Sequence, residues 1–512
     1  MRRASLLRLA LLLGAAAGCG GGSSPGPTPV VLGGPCTHAA ECQTGLVCLS
    51  GKCEPFAAGA CTTAPTIALG TIAGPATAPS PSSTCAPPVS PAVFPTGGVV
   101  ELGVQRVGTV LSFDVPAGTA SFTVIAQVKD GSAAATVTLG GTAYPNAVQP
   151  TALFAPDGTP FYDAVDASTH SDPSGLLAFD AGVVAATGVF TVPSTSPSLD
   201  LVRSAGAVQA GTWTFTLTDL ARDCPRFVGC PYVTPDTSGL YDVKVLTRPG
   251  PLPTAGTLDL DLYLVSTDST LTAASAVSGA KAAVFRRYVS GVASVLQAGG
   301  VCLGSVQVHD VQPWARSAYS TPNVDTVGPC DTLSLLFGLA LPRNAVHVFL
   351  VDDLVSSQLP PGAIVYGIDG SIPGPSGVPG GPNSGAAVLN ADLGSGSCGG
   401  GFTIGGCGTD LAAYVTAHET GHWLGLYHTT ESDGAHFDPL TDTAKCECAS
   451  CVSSSQRAAC GSTAYVTAPG CVTAPSCAGG GHLMFWEAYP GYSQGLLSPE
   501  EGEVMRLNPA VH

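Results

Sequence analysis

The sequence predicts a multidomain protein in which a small disulfide module and an antiparallel β-sandwich precede an α+β domain. Three observations favour this fold class. The chain has 512 residues, more than one ordinary domain holds, and its 45% hydrophobic content can fill several cores. Short β-rich runs separated by turn residues occupy the first half, whereas strand and helix patterns alternate in the second half. The 65 glycines and 43 prolines indicate many turns and short strands.

Residues 1–18 have the pattern of a signal peptide, because a basic start precedes an apolar run that is too short to span a bilayer. The run ends in Ala16-Ala17-Gly18-Cys19, which resembles a bacterial lipoprotein cleavage box. We therefore expect an exported protein that is lipidated on Cys19 and held at the outer membrane or cell surface by that lipid alone. Cleavage to an ordinary secreted protein is the alternative.

Residues 19–60 are expected to form a flexible tether and a small cysteine-rich module. The close spacing of its cysteines predicts two disulfides and almost no core; these are Cys36, Cys42, Cys48 and Cys53. A metal knuckle is less favoured, since the spacings lack C-x-x-C pairs. Residues 61–97 are rich in Pro, Ala, Thr and Ser, which predicts a linker stapled through Cys61 and Cys85.

Residues 98–235 are expected to form the β-sandwich. Runs such as 109–118, 121–126 and 211–219 are rich in β-branched and aromatic residues and are separated by turn signals. This region contains no catalytic constellation, so we expect it to be an accessory domain that has a binding role or acts as a spacer.

Residues 236–512 are expected to form the α+β domain. Its predicted elements are a first strand at 241–246, a strand at 258–265, an amphipathic helix at 280–298, strands at 305–311 and 345–351, a surface loop at 367–384, a strand at 385–390 and a closing helix at 498–506. The closing helix has the clearest start, because Ser498 can cap it and Pro499 suits its first position.

Three histidines in this domain have the spacing of a zinc site. His418 and His422 are four residues apart, so on a helix they lie on one face, about 6 Å apart along the axis. His428 completes three ligands if the chain turns away after the helix, and Gly425 permits that turn. Glu419 lies beside the ligands and is the candidate general base that takes a proton from the attacking water.

The segment His418-Glu419-x-x-His422-x-x-Gly425-x-x-His428 resembles the metzincin metalloprotease signature, which also includes a methionine turn. Met484 is the candidate for that turn. Within the metzincins, residues 418–429 and 438–443 resemble the pappalysin group. The resemblance implies a secreted zinc endopeptidase with a mixed sheet above the zinc helix, a lower subdomain rich in cysteine and, in some members, structural calcium. It also implies that residues 385–390 are the edge strand that pairs with substrate.

Two residues depart from the pattern of the pappalysin group. Ala444 replaces a proline, and Trp486 replaces the tyrosine that commonly follows the turn methionine and assists the metal or the oxyanion. Tyr489 or Tyr492 is the candidate substitute for this assistance. Asp352 and Asp353 are candidate calcium ligands, although a solvated strand end is the favoured interpretation.

The remaining cysteines number 18 once Cys19 is set aside, and an even count in an exported chain predicts disulfides. Six of them crowd residues 446–477, where pairing is favoured over a second metal site.

The net charge of −17 argues against nucleic acid as a partner, since binding it needs basic patches. We therefore expect a zinc-dependent metalloendopeptidase whose partner is a protein or peptide substrate. A surface binding or adhesion lipoprotein with an inactive peptidase-like domain is the alternative from another class. A zinc-stabilised structural domain is a third alternative, which needs a fourth protein ligand.

Overall fold

The computed structural model describes residues 46–49, 52–55, 61, 63–78, 97–129, 136–139, 142–163, 175–180, 187–222, 232–236, 239–325, 331–356, 364–391, 393–399, 407–461, 464–474, 477 and 479–512. The predicted signal peptide, Cys19, Cys36, Cys42 and Cys85 lie outside these residues. Of the predicted cysteine module, the structure describes one hairpin, in which Cys48 is the backbone partner of Cys53.

The strands are short and are spread along the whole described chain. In order, they are β1 (Leu46–Leu49), β2 (Lys52–Pro55), β3 (Thr66–Leu69), β4 (Gly98–Arg106), β5 (Val110–Val115), β6 (Thr119–Val128), β7 (Thr136–Leu139), β8 (Thr142–Phe154), β9 (Pro160–Asp163), β10 (Phe179–Asp180), β11 (Thr187–Val192), β12 (Gly211–Arg222), β13 (Tyr232–Asp236), β14 (Leu240–Pro249), β15 (Gly256–Val265), β16 (Val301–Asp310), β17 (Val346–Val351), β18 (Gly367–Asp369) and β19 (Ala386–Leu389).

The α-helices lie mostly in the second half of the chain. They are α1 (Ser196–Ala205), α2 (Ala273–Val277), α3 (Ala282–Leu296), α4 (Pro313–Tyr319), α5 (Thr332–Phe337), α6 (Gly408–Trp423), α7 (Cys448–Cys451), α8 (Ala468–Thr473) and α9 (Pro499–Leu507). The protein is therefore mixed α/β with several sheets, as the α+β prediction requires.

Two antiparallel sheets share one core and confirm the predicted sandwich. The first has the strand order β10-β11-β6-β14-β4; the second has the order β13-β12-β8-β7, with β5 also paired to β12 and β9 to β8. Their inner faces meet around Trp213, whose ring centroid lies 4.9 Å from that of Phe122 and 4.8 Å from that of Phe161. Edge-to-face aromatic packing of this kind favours a single arrangement of the two sheets.

The sandwich extends further along the chain than predicted. The strand expected at 241–246 to open the α+β domain is part of β14, which pairs with β6 on one side and β4 on the other. Tyr241, Val243 and Val245 point into the sandwich core. The predicted boundary at residues 235 and 236 is therefore wrong, because this strand buries its apolar face against the sandwich.

The third sheet is mixed and has the order β18-β19-β17-β15-β16-β3. Its pairings are parallel except for that of β18 with β19. Helices α3 and α6 pack on one face of the sheet, and α4 and α5 lie in the core of the other face. The predicted strands at 258–265, 305–311 and 345–351 and the predicted helix at 280–298 are confirmed as β15, β16, β17 and α3.

The first part of the predicted linker belongs to this sheet. Strand β3 pairs in parallel with β16, and Cys61 forms a disulfide with Cys302 of β16. Cys61 therefore staples this segment to β16, and residues 66–69 are sheet rather than linker. A strand of only four residues escapes notice in a stretch rich in Pro and Ala, since its pairing partner is distant in sequence.

Two predictions near the sheet edge are also wrong. The strand expected at 385–390 is β19, but it lies inside the sheet between β17 and β18, so β18 is the edge strand. The expected surface loop at 367–384 is largely buried. Val378 in this loop packs against Ile125, Val189 and Leu246 on the outer face of the sandwich. The sandwich covers residues that would otherwise be exposed.

The described cysteine side chains are all paired, as predicted. Besides the bond from Cys61, the disulfides are Cys398–Cys407, Cys446–Cys477, Cys448–Cys460 and Cys451–Cys471. Disulfides in this number indicate an oxidising, extracellular environment. Within the described residues, no helix combines the length and apolar character that crossing a membrane requires.

Candidate metal centre

Helix α6 carries two of the three histidines and is buried on every side. Its residues from Thr409 to Trp423 are all buried, as expected of a helix that runs through a core. Arg287 of α3 forms an ion pair with Asp410 in the first turn, at 2.6 Å. Tyr288 and Thr416 form a hydroxyl–hydroxyl hydrogen bond of 2.6 Å. Helix α3 thus fixes the rotation of α6, and with it the direction of both histidines.

The helix ends in a tight turn that brings the third histidine back toward it. The Leu426 amide donates to the Gly421 carbonyl oxygen at 3.0 Å, and the Gly425 amide donates to the His422 carbonyl oxygen at 2.9 Å. This pair of bonds is a Schellman motif, and Gly425 has the positive φ that it needs, +109°. The predicted role of Gly425 as the turn residue is confirmed.

The three histidines converge on one point. Each Nδ1 donates outward: that of His418 to the Leu483 carbonyl oxygen at 2.7 Å, that of His422 to the Leu426 carbonyl oxygen at 2.7 Å, and that of His428 to Glu431 Oε1 at 2.9 Å. The Nε2 atoms therefore face one another, and that of His428 lies 3.3 Å from His418 Nε2 and 3.1 Å from His422 Nε2. With Nδ1 protonated, each Nε2 carries the free lone pair.

These distances fit a zinc ion. Ligand atoms about 2.0–2.1 Å from a tetrahedral zinc lie about 3.3–3.4 Å from each other, close to the separations found here. His418, His422 and His428 form one of the groupings in the described chain that could hold a metal. The others involve Cys446, Cys451, Cys471 and Cys477, or Cys398, Cys407 and Asp410, and their sulfur atoms are already joined in disulfides.

Burial sets the charge of the site. It lowers the pKa of His418 to about 3 and holds that of His422 well below its ordinary value, and His428 lowers both further. Both imidazoles are therefore neutral at pH 7, which is the form that binds metal. Burial also raises the pKa of Glu419 to about 8. A cation held by the neighbouring histidines would favour the ionised form of this carboxylate.

The edge strand borders the Glu419 carboxylate. A Cβ atom added to Gly367 of β18 would lie 2.4 Å from Glu419 Oε1 and 2.6 Å from Val415 Cγ1. Contacts this short leave no room for a side chain at position 367. The backbone of β18 therefore lies directly against the Glu419 carboxylate.

Met484, the candidate turn methionine, lies against helix α6. A Cβ atom added to Gly421 would lie 2.6 Å from Met484 Sδ, and Met484 is fully buried. The residue before it, Leu483, provides the carbonyl oxygen that accepts from His418 Nδ1, and Thr429 donates its amide to the Met484 carbonyl oxygen at 2.9 Å. The turn supports both the helix and the segment that carries His428.

Trp486 is directed into the disulfide-bonded segment. Its indole Nε1 donates to the Val466 carbonyl oxygen at 2.9 Å, and its ring packs against the cysteine cluster. Tyr489 and Tyr492 pack edge-to-face on each other with centroids 5.4 Å apart. A role of either tyrosine in assisting the metal stays a prediction.

The aspartates considered for calcium have protein partners. Asp353 accepts from the Leu354 amide at 2.9 Å. Asp352 accepts from both the amide and the hydroxyl of Thr267, at 2.8 and 2.7 Å. These bonds favour a structural role at an element end, and structural calcium stays a prediction.

Sequence reasoning missed three features of the site. They are the Leu483 carbonyl, the close approach of Gly367 to Glu419, and the Glu431 carboxylate. Only Glu431 had a usable signal, since an acidic residue three positions after a candidate ligand can reach it in a turn. The other two depend on pairing between distant segments.

Comparisons with known proteins assign no family to the chain. No protein-family model matches it, and no curated protein matches it. The chemistry of the site is therefore inferred from its own geometry.

Proposed function

We propose that the protein is an exported zinc metalloendopeptidase that hydrolyses peptide bonds in protein or peptide substrates. One observation carries the proposal: His428 Nε2 lies 3.3 Å from His418 Nε2 and 3.1 Å from His422 Nε2, and the residue next to His418, Glu419, is buried. A solvated histidine-rich helix would have neither the burial nor the outward Nδ1 hydrogen bonds. A closed structural site needs a fourth protein ligand, and the histidine grouping found in the described chain has three members.

We also propose that the enzyme is of the metzincin type and resembles the pappalysin group. Three features support this: the order of strand, helix, strand and strand before the zinc helix, the antiparallel strand at the sheet edge, and the position of Met484 against Gly421. The disulfide-bonded segment between His428 and Met484 supports the expected lower subdomain.

The residues divide the chemistry between them. His418, His422 and His428 would hold a zinc ion, which when bound would act as a Lewis acid, polarising the scissile carbonyl and acidifying the attacking water. Glu419 takes one proton from that water as its oxygen bonds to the carbonyl carbon. It then passes the proton to the amine nitrogen as the carbon–nitrogen bond breaks. The bare backbone at Gly367 lets an extended substrate lie beside the carboxylate.

Replacement of one ligand tests the metal assignment. His422→Ala should abolish both zinc binding and cleavage of a mixed peptide library, because two imidazoles leave the ion under-coordinated. His436→Ala is the matched control, since the His436 side chain is 77% exposed and belongs to the same region of the chain. We expect it to retain about one zinc per chain and full cleavage. Metal analysis and the library assay are done on the same preparations.

A wild-type protein that binds zinc but cleaves no peptide would contradict the proposal. That result would favour the binding or adhesion lipoprotein with an inactive peptidase-like domain. Export is supported by the disulfides of the described chain. Anchoring through a lipid on Cys19 is the part of the proposal that rests on the sequence pattern alone.

A further inference from the structure

We propose that Glu431 is a positioning residue that orients His428 as a metal ligand, and that the disulfide-bonded segment after it holds Glu431 in place. This inference rests on the proposed function, because it assumes that the three histidines bind zinc. It assigns a role to a carboxylate and to a segment that the zinc chemistry itself does not use.

His428 differs from the other two histidines in its partner and in its surroundings. The Nδ1 atoms of His418 and His422 donate to backbone carbonyl oxygens, whereas that of His428 donates to a carboxylate at 2.9 Å. His428 also lies beyond the helix end and is the least buried of the three, with 23% of its side chain exposed. Packing therefore constrains the His428 ring less than the rings of the other two histidines. A directed hydrogen bond has the largest effect on ring orientation at His428.

A carboxylate acceptor does two things for a metal-binding imidazole. The charge-assisted bond fixes the ring plane and the tautomer, and it increases the electron density at Nε2. Removing such a partner typically weakens metal binding about 10–100-fold. Within this chain, Glu431 is suited to the task because its backbone is fixed independently of its side chain.

The backbone of Glu431 belongs to a closed turn. The Glu431 amide donates to the His436 carbonyl oxygen at 3.0 Å, and the Gly434 amide donates to the Glu431 carbonyl oxygen at 2.9 Å. Gly434 has φ +60°, and a Cβ atom there would lie 2.6 Å from the Cys448 amide nitrogen. The turn therefore lies directly on the cysteine-rich segment.

Two amides of the cysteine-rich segment hold the turn from outside. The Cys448 amide donates to the Gly434 carbonyl oxygen at 3.1 Å, and the Val466 amide donates to the Ser432 carbonyl oxygen at 2.9 Å. Cys448 is itself fixed by its disulfide to Cys460. The Val466 carbonyl oxygen accepts from the Trp486 indole. A continuous set of contacts thus runs from Trp486 and the disulfides, through the turn, to Glu431 and His428.

Three variants of the full chain separate orientation of His428 from a general effect of charge. Glu431→Ala removes the acceptor, and Glu431→Gln keeps an acceptor oxygen but removes the charge. Asp433→Asn is the matched control: Asp433 pairs with His436 at 2.7 Å, also three residues away, but that histidine is exposed and is not a candidate ligand. Asn retains the oxygen that accepts from the Ala435 amide at 2.9 Å.

Two readouts are independent of catalysis. Zinc affinity is measured by competition with a chromophoric chelator, and ligand geometry is measured from the visible absorption of the Co²⁺-substituted protein. We expect Glu431→Ala to bind zinc about 10–100-fold more weakly, Glu431→Gln to be intermediate, and Asp433→Asn to match the wild type. The Co²⁺ spectrum should change in both Glu431 variants and stay unchanged in Asp433→Asn.

Wild-type zinc affinity and an unchanged Co²⁺ spectrum in Glu431→Gln and Glu431→Ala would overturn the inference and leave the proposed function intact. Equal weakening by Asp433→Asn and Glu431→Gln would overturn it as well, because the effect would then be one of loop charge. A wild-type chain that holds no zinc would instead contradict the proposed function and the inference together. If Glu431→Ala fails to fold, Glu431→Gln alone decides between these outcomes.

Discussion

Position 367 requires glycine because the Glu419 carboxylate leaves no space for a Cβ atom. The backbone of Gly367 does not have the positive φ that would itself favour glycine. A Cβ atom there would come within 2.4 Å of Glu419 Oε1 and 2.6 Å of Val415 Cγ1. Both atoms belong to side chains of the buried helix α6, so a side chain at position 367 would displace the Glu419 carboxylate. At the scale of single residues, the absence of a side chain at position 367 leaves room for the Glu419 carboxylate.

Gly367→Ala should lower kcat/KM for peptide cleavage about 10–100-fold while zinc content stays near that of the wild type. A misplacement of the general base by about 1 Å is enough for a loss of this size, whereas the zinc ligands are on other residues. Gly495→Ala is the control, since a Cβ atom at position 495 meets no atom within 4 Å. Equal activity of the two variants would show that the cleft tolerates a side chain beside Glu419.

At the scale of elements, local patterns predicted most strands and helices, but not the sheets to which they belong. The closing helix was predicted from Ser498 and Pro499, and α9 begins there with Ser498 and Glu501 in a capping box. Strand β14 was predicted as a strand but assigned to the wrong domain, because an alternating apolar pattern does not specify which core it faces. Strands β3 and β18 are too short to give a periodic signal.

The same distinction applies to the candidate site. The spacing of His418, His422 and His428 predicted a geometry that the structure contains, because the helix repeat and the glycine turn are local. The carbonyl of Leu483 reaches His418 across 65 residues, and Gly367 reaches Glu419 across the sheet edge. Contacts between segments so far apart leave no pattern in a single sequence.

At the scale of the whole molecule, a buried ionic contact joins the sandwich to the domain that carries the three histidines, in addition to the covalent chain. Arg203 of α1 forms ion pairs with Glu500 at 2.9 Å and with Glu503 at 2.6 Å, both on α9. The Arg203 side chain is 3% exposed, and that of Glu500 is fully buried. Removing the arginine leaves two carboxylates without their charge partner in a low-dielectric interface.

Arg203→Ala should therefore destabilise the protein by about 3–5 kcal/mol, seen as a lower midpoint of thermal unfolding at pH 7. Arg286→Ala is the control, because Arg286 is exposed on α3, and we expect its midpoint to stay near that of the wild type. If both variants unfold at the same temperature, the two domains are held together by other contacts and the ionic contact contributes little.

The central claim is that three histidines hold one zinc ion while Glu419, which is not a ligand, moves the proton. The most direct test measures zinc content and peptide cleavage together in wild type and Glu419→Ala. We predict about one zinc per chain in both proteins, because the three ligands remain. We predict that peptide cleavage falls about 10²–10⁴-fold in Glu419→Ala, because the proton acceptor is lost. Undiminished cleavage by Glu419→Ala, or loss of the zinc with the carboxylate, would contradict this account.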